Sequence, residues 1–357
     1  MTGAPVITIC DQDPVLRLVK IALGHGNAED RDWLIRYFAP EPVDPAKVVA
    51  IGAELGLHGN ELRIASPEIP LARTSAGSTI LLCRRAAIDQ AVLSASPGLR
   101  HIRRLGAHDG GLDLQAARAA GIQVWCMPRP TLALTAEHAI LLMLAAAKKL
   151  VEADRRCRAA DWDDTKVTPI RNVAYNWPGL AGLGGLIGRR IGLIGLGQVG
   201  LLVAERLKPF GAQVVYAKPS PLDRTAEAQL NLTRVSIDDL LATSDIVSLH
   251  ALWTPETEGL MDEAAFARMK PGSIFVNTAR GALVDETALL TALRSGHLAQ
   301  AALDTHALEP RRPGDPLSAL NSIIMTPHIA GGSRHEMLTE IRLFLSGLVP
   351  GHHEPAA

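Results

Sequence analysis

The segment Ile191-Gly192-Leu193-Ile194-Gly195-Leu196-Gly197-Gln198-Val199-Gly200 sets G-x-G-x-x-G between a short apolar run and a helical pattern. That context makes the glycines informative. One forms the turn, one lets backbone approach a pyrophosphate, and one lets the helix pack on the strand. The helix N-terminus then offers N–H groups and the positive end of its dipole to phosphate. Gly195, Gly197 and Gly200 therefore predict a dinucleotide-binding turn rather than a tight turn without a ligand.

Around this turn, short, largely apolar segments at 191–194, 213–216, 246–249, 273–277, 300–303 and 323–325 read as strands. Helical patterns at 199–210, 237–242, 262–269 and 286–295 separate them. Such alternation implies a parallel sheet covered on both faces. The first 126 residues repeat it more weakly, with strands at 6–10, 79–83, 99–105 and 122–126 and helices at 15–23, 30–38, 46–55 and 112–120. A long helix is expected over 135–150 and a loop over 161–188. With 357 residues to bury, the expectation is an α/β protein: a Rossmann-type doubly wound parallel sheet plus a smaller, flavodoxin-like α/β domain.

Charge excludes some partners. Lys and Arg total 36 against 37 Asp and Glu, so nucleic acid and anionic membrane are not expected to bind. An anionic substrate has to be caught by a few local cations. Cys10, Cys83, Cys126 and Cys157 form no C-x-x-C pair, so neither a metal site nor a disulfide is expected, and each reads as a small buried hydrophobe. The first 13 residues lack the features of a secretion signal, and the apolar stretch 132–147 is broken by Thr135, Glu137 and His138. A soluble, cytoplasmic protein is expected.

Three further segments follow strands of the nucleotide half: Asn277-Thr278-Ala279-Arg280-Gly281, Asp304-Thr305-His306-Ala307-Leu308-Glu309-Pro310, and Thr326-Pro327-His328-Ile329-Ala330-Gly331-Gly332. In an open parallel sheet ligands gather at the carboxyl ends of strands, so Arg280, Glu309 and His328 can converge. Their types fit one task. A guanidinium grips a carboxylate and polarises the neighbouring carbonyl. An imidazole donates or accepts the proton near neutral pH, and a carboxylate beside it orients the ring. Reduction of a small anionic 2-oxo acid to a 2-hydroxy acid needs these parts. For the nucleotide, an acidic residue about 20 positions beyond the glycines would select NAD. Here Lys218 stands 18 residues after Gly200, with no carboxylate until Asp223, which leans the choice of NAD(P)H toward NADP(H) unless Lys218 is only a solvated loop residue.

Together, Ala136-Glu137-His138, the Gly195 turn, Asp245-Ile246-Val247-Ser248-Leu249-His250, residues 277–281, Glu309-Pro310 and residues 326–332 resemble the D-isomer-specific 2-hydroxyacid dehydrogenase family. The family includes glyoxylate/hydroxypyruvate reductases, and the resemblance runs from about residue 79 to 345. It implies a D-specific oxidoreductase with Arg280, Glu309 and His328 at the reaction centre. It implies cofactor contacts at Gln198, Val199, Leu252, Thr257, Thr278, Ala279 and Asp304. It further implies a split substrate domain, 1–127 with 328–357, around a nucleotide domain, 128–327. The helix over 135–150 would contribute to a homodimer, with His138 and His250 as packing or interface residues. Two other outcomes on this scaffold are a nucleotide-sensing, corepressor-like regulator and a dehydrogenase of an unusual hydride donor such as phosphite.

Three departures from the family pattern stand out. Lys218 replaces the usual Asp. The loop Gly106-Ala107-His108-Asp109-Gly110-Gly111 resembles one that holds the substrate carboxylate, so Ala107 and His108 become candidate substrate contacts. His108, at a usual glycine, either alters substrate choice or merely reshapes the loop; Arg84 and Arg85 either add positive charge or lie on the surface. Thr305-His306 replaces Val-Phe, which reads as a packing change.

Overall fold

The computed structural model describes residues 5–160, 169–171 and 174–349. Residues 161–168 and 172–173 of the expected 161–188 loop lie outside the described residues. The chain divides into two compact units, residues 1–131 with 333–357 and residues 132–332.

Unit 1 holds a parallel five-stranded sheet of β1 (Val6–Ile9), β2 (Glu61–Ile64), β3 (Ile80–Cys83), β4 (His101–Leu105) and β5 (Gln123–Met127), in the order β2-β1-β3-β4-β5. Side chains alternate across a strand, so an unbroken apolar run fills two cores. Ile80 and Leu82 face one core with Leu16, Leu34 and Phe344, while Leu81 and Cys83 face another with Ile102 and Val92. The helix Glu336–Ser346 completes the first core through Met337, Ile341, Phe344 and Leu345. Its buried Glu340 takes hydrogen bonds from Arg129 Nε at 2.7 Å and from Thr131 Oγ1.

Unit 2 holds a parallel seven-stranded sheet of β6 (Arg190–Ile194), β7 (Gln213–Ala217), β8 (Leu232–Arg234), β9 (Ile246–Leu249), β10 (Ser273–Asn277), β11 (Leu298–Leu303) and β12 (Ile323–Met325), in the order β12-β11-β10-β9-β6-β7-β8. The connection reverses direction between β9 and β6, the crevice where doubly wound sheets take ligands. Ile191 and Leu193 turn to a core shared with the helices Leu132–Ala147 and Gln198–Leu207; Ile194, Leu249 and Leu303 turn to the opposite one. Both sheets are parallel and flanked by helices, so the α/β Rossmann-like class expected from the alternation is what the chain forms.

Several local readings need correction. The helix expected over 135–150 is two, Leu132–Ala147 and Leu150–Ala159, because Lys149 adopts the left-handed conformation at φ +51°. The cysteines are not uniformly buried: Cys10 and Cys83 are, Cys126 is half-buried and Cys157 is exposed. Burial pushes the Cys83 thiol up to about 12, which makes it inert. Arg84 is not a spare cation, since it pairs with Asp13. Among the described residues no helix is long and apolar enough to cross a membrane.

Candidate active site

The nucleotide turn is built by exclusion of side chains. Gly195 has φ +87°, and a Cβ there would stand 2.6 Å from the Ala251 nitrogen. A Cβ on Gly200 would stand 2.8 Å from the Gly195 carbonyl oxygen. Only hydrogen fits at either position. Gly197 is the N-cap of the helix Gln198–Leu207, and as glycine it places no side chain of its own over that end. The turn therefore offers bare backbone at a helix N-terminus beside the sheet's crevice, a cradle that fits a pyrophosphate. Val199 lies in the first turn of that helix.

Three loops leave the carboxyl ends of β10, β11 and β12. After β10, buried Asn277 shapes its own loop: its Oδ1 accepts from Ala279 N at 2.9 Å, and its Nδ2 donates to the Arg280 carbonyl at 3.0 Å. Arg280 is thereby held on an exposed bend, with one guanidinium N–H on the Ala279 carbonyl at 2.6 Å and no ion pair among the described residues. Gly281 follows, and a Cβ there would collide with the His306 carbonyl, so the β10 and β11 loops touch backbone to backbone. Thr278 is buried, with its hydroxyl unpartnered among the described residues, and Ala279 is half-buried.

After β11 and β12, Glu309 and His328 meet. Glu309 Oε2 lies 2.7 Å from His328 Nδ1, and Glu309 Oε1 accepts from the His306 N–H at 2.9 Å. Partial burial opposes ionisation of Glu309, but the bonds from His328 and His306 outweigh it and hold the carboxyl below the usual carboxylate range. An ionised Glu309 can only accept, so the Nδ1 of His328 carries the proton of this bond and Nε2 lies outside it. His328 itself has φ +56°, a left-handed backbone that a non-glycine residue holds only when its surroundings impose it.

Asp304 imposes it. Its carboxylate is fully buried and accepts from Thr326 Oγ1 at 2.6 Å, Ile329 N at 2.9 Å and Ala330 N at 2.9 Å, while its carbonyl accepts from His328 N at 2.8 Å. His138 Nε2 lies 3.1 Å from Thr326 Oγ1 and 3.4 Å from Asp304 Oδ1. Burial alone would raise the Asp304 carboxyl, yet these partners drive it far below its ordinary value. His138, read from sequence as packing or interface, belongs to this clamp. His250 does pack: it pairs with Ser248 at 2.9 Å, and burial pushes its imidazole down to about 4, keeping it neutral.

The NAD binding domain model of D-isomer specific 2-hydroxyacid dehydrogenases matches residues 140–330, just over half of the chain. A glyoxylate reductase of Aeropyrum pernix is 36% identical over 263 residues, covering 73% of this chain and 76% of that one. The chain belongs to the D-isomer specific 2-hydroxyacid dehydrogenase family. A D-3-phosphoglycerate dehydrogenase of Mycobacterium leprae is 37% identical over 284 residues, 78% of this chain and 51% of that protein. The chain thus spans about half the length of the phosphoglycerate dehydrogenases it matches. The crystal structure of a glyoxylate reductase from Paecilomyes thermophila shares the fold at a TM-score of 0.57 and 26% identity, over 97% of this chain and 95% of that one.

The other residues named from this family pattern fall on two kinds of ground. Leu252 is exposed beyond β9, and Thr257 organises that loop through Oγ1 bonds with the Leu252 carbonyl and the Thr254 N–H, both 2.8 Å. Lys218 follows β7 directly. Ala107 and His108 are exposed in unit 1, in the loop after β4, and are described there alone. Sequence reasoning overlooked Arg234, whose guanidinium donates to the carbonyls of Lys218 at 3.0 Å and Pro219 at 2.7 Å. It also misread His306. The ring is no apolar packing substitute: Nε2 lies 2.9 Å from the Thr326 carbonyl, and Nδ1 lies 2.9 Å from an Arg311 nitrogen. A histidine where apolar residues are usual was the only available signal.

Proposed function

We propose that this chain is an NAD(P)-dependent oxidoreductase interconverting a short 2-oxo acid and its D-2-hydroxy acid, with a glyoxylate- or hydroxypyruvate-type substrate. The observation that carries the reading is the 2.7 Å contact between His328 Nδ1 and Glu309, on loops packed beside the Arg280 bend in a nucleotide-binding sheet. Arg280 grips the substrate carboxylate with its remaining N–H donors and draws electron density from the adjacent carbonyl. His328 Nε2–H gives its proton to that carbonyl oxygen during reduction and takes it back during oxidation. Glu309 keeps the ring in the required tautomer and stabilises its positive charge when both nitrogens are protonated. The bound nicotinamide supplies or accepts the hydride. Unit 2 serves as the nucleotide domain and unit 1 as the substrate domain.

NADP(H) is the preferred form in this proposal. Lys218 and Arg234 bring two positive charges to the end of β7, and no carboxylate lies between Ala217 and Asp223. The Lys218 loop is pinned, since Leu222 N donates to Tyr216 Oη at 2.9 Å. A 2′-phosphate would meet cations where an Asp would repel it.

A substrate with a second anionic group is the alternative, and one observation favours it. Arg104 in unit 1 is 7% exposed at the carboxyl end of β4, and its Nη1 has no hydrogen-bond partner among the described residues. A buried guanidinium N–H without an acceptor is costly unless a ligand supplies one. A homodimer is part of the proposal as well, supported by Leu141, Leu150 and Val151, each more than half exposed on the helices Leu132–Ala147 and Leu150–Ala159.

The test is absorbance at 340 nm with glyoxylate, hydroxypyruvate, pyruvate and phosphohydroxypyruvate, each with NADPH and with NADH. Consumption with at least one acid is expected, faster with NADPH, and Lys218→Asp should shift the NADPH/NADH ratio at least about tenfold toward NADH. Oxidation of neither nucleotide by any acid would overturn the reading.

A further inference from the structure

His306 stands where the three reaction-centre loops come together, and it touches each through a different group. Its carbonyl lies against Gly281, next to Arg280, at the place where a Cβ would collide. Its N–H donates to Glu309 Oε1 at 2.9 Å. Its imidazole Nε2 lies 2.9 Å from the carbonyl of Thr326, the residue that opens the His328 loop. The first two contacts use backbone, which any residue could supply. The third belongs to the side chain.

The tautomer of that ring follows from its neighbours. Arg311 Nη1 lies 2.9 Å from His306 Nδ1, and a guanidinium can only donate. Nδ1 is therefore the acceptor, Nε2 carries the proton, and Nε2–H donates to the Thr326 carbonyl. Arg311 is itself fixed, by Glu286 at 3.0 Å and Asp315 at 2.6 Å. Glu286 also accepts from Ala307 N at 3.0 Å. The ring is buried, so these bonds are shielded from competing water.

We infer that His306 is a positioning residue: its imidazole ties the Glu309 loop to the His328 loop and so sets the alignment of the proton-transferring pair. It does not touch the reacting atoms. Glu309 and His328 sit on separate loops, each more than a third exposed, and their contact is not enclosed by a packed core. Asp304 clamps the His328 turn from within, but nothing in that clamp fixes the side chain of Glu309. The Arg311–His306–Thr326 chain supplies the missing link. This inference rests on the proposed proton-transfer role of His328 and Glu309.

Two amide substitutions separate the two ring nitrogens. Glutamine reaches the position of Nε2 and can donate to Thr326; asparagine reaches only the position of Nδ1 and keeps the Arg311 contact alone. His306→Phe and His306→Asn should lower kcat at least about tenfold, in line with the sensitivity of catalysis to small displacements of a positioned group. KM for the oxo acid and the NADPH Kd should stay within about twofold, and the solvent isotope effect on kcat should rise as proton transfer becomes limiting. His306→Gln should recover kcat to within about threefold of wild type. In the nucleotide-free protein, the downfield proton of the His328–Glu309 hydrogen bond should be lost from NMR spectra of the Phe and Asn variants and kept in the Gln variant. That readout needs no turnover. If wild type oxidises no nucleotide while this proton follows the pattern, the functional reading fails and the linkage stands. Unchanged kcat in His306→Phe, equal losses in the Gln and Asn variants, or an NMR proton indifferent to all three would overturn the inference.

Discussion

Two strand-to-helix turns in this molecule look alike in sequence and differ in what their glycines do. After β6, Gly195 and Gly200 are demanded by contact: a Cβ on either would stand within 2.8 Å of backbone atoms. After β4, Gly106 has φ +138° and Gly111 φ +82°, yet a Cβ on Gly106 would meet nothing within 4 Å. The first turn is sterically saturated, and its residue types are fixed from both sides. The second is open at Gly106, which answers only to the backbone dihedral. An open loop can accept a new side chain between its glycines, and His108 is exposed there.

Substitution at equivalent places should break or sharpen that contrast. Gly195→Ala adds both overpacking and left-handed strain, together about 3 kcal/mol, so NADPH binding followed by fluorescence should weaken about a hundredfold. Gly106→Ala carries only the dihedral penalty. It should cost about 1–2 kcal/mol of stability in a denaturant titration and leave the NADPH Kd within about twofold. Similar behaviour of the two variants would remove the distinction.

An effect smaller than that of Gly195→Ala is expected from the Asp304 clamp. The folded Asp304 carboxyl is held below its unfolded value of about 3.9, so its stabilisation is present above about pH 4 and is lost as pH falls below it. Glu309 contributes in the same direction. Asp304→Asn should destabilise by about 2 kcal/mol at pH 7 and flatten the loss of stability between pH 4 and pH 3 in melting curves. An undiminished acid slope would contradict the clamp. The smallest change belongs to the open loop: His108→Gly should shift KM for the oxo acid by about twofold to fivefold with nucleotide affinity unchanged. A change in NADPH Kd instead would mean that His108 acts on the nucleotide.

The same contrast explains what could be read from the chain. Interior strands such as β6, β9 and β10 announce themselves, because burial on both faces demands mostly apolar residues along the strand. The edge strands β2 and β8 escaped notice, since Glu61-Leu62-Arg63-Ile64 and Leu232-Thr233-Arg234 are short and half polar, as edges permit. Helices of four to seven residues, Leu71–Thr74, Gln90–Ala95 and Arg224–Leu230, are too brief to show a period. Arg280, Glu309 and His328 were legible because each follows a strand in a recognisable order. The groups that hold them were not. Asn277, Asp304, His138 and His306 act through hydrogen bonds, several of which join loops far apart in sequence, and residue type carries no trace of such partners.

In the proposed reaction His328, oriented by Glu309, moves the proton in a nicotinamide-dependent reduction of a 2-oxo acid. Comparing kcat for wild type and His328→Ala at 340 nm, alongside the NADPH Kd, tests it most directly. A fall in kcat of at least about a hundredfold, with Kd within about twofold, is expected. An undiminished kcat in His328→Ala would contradict it.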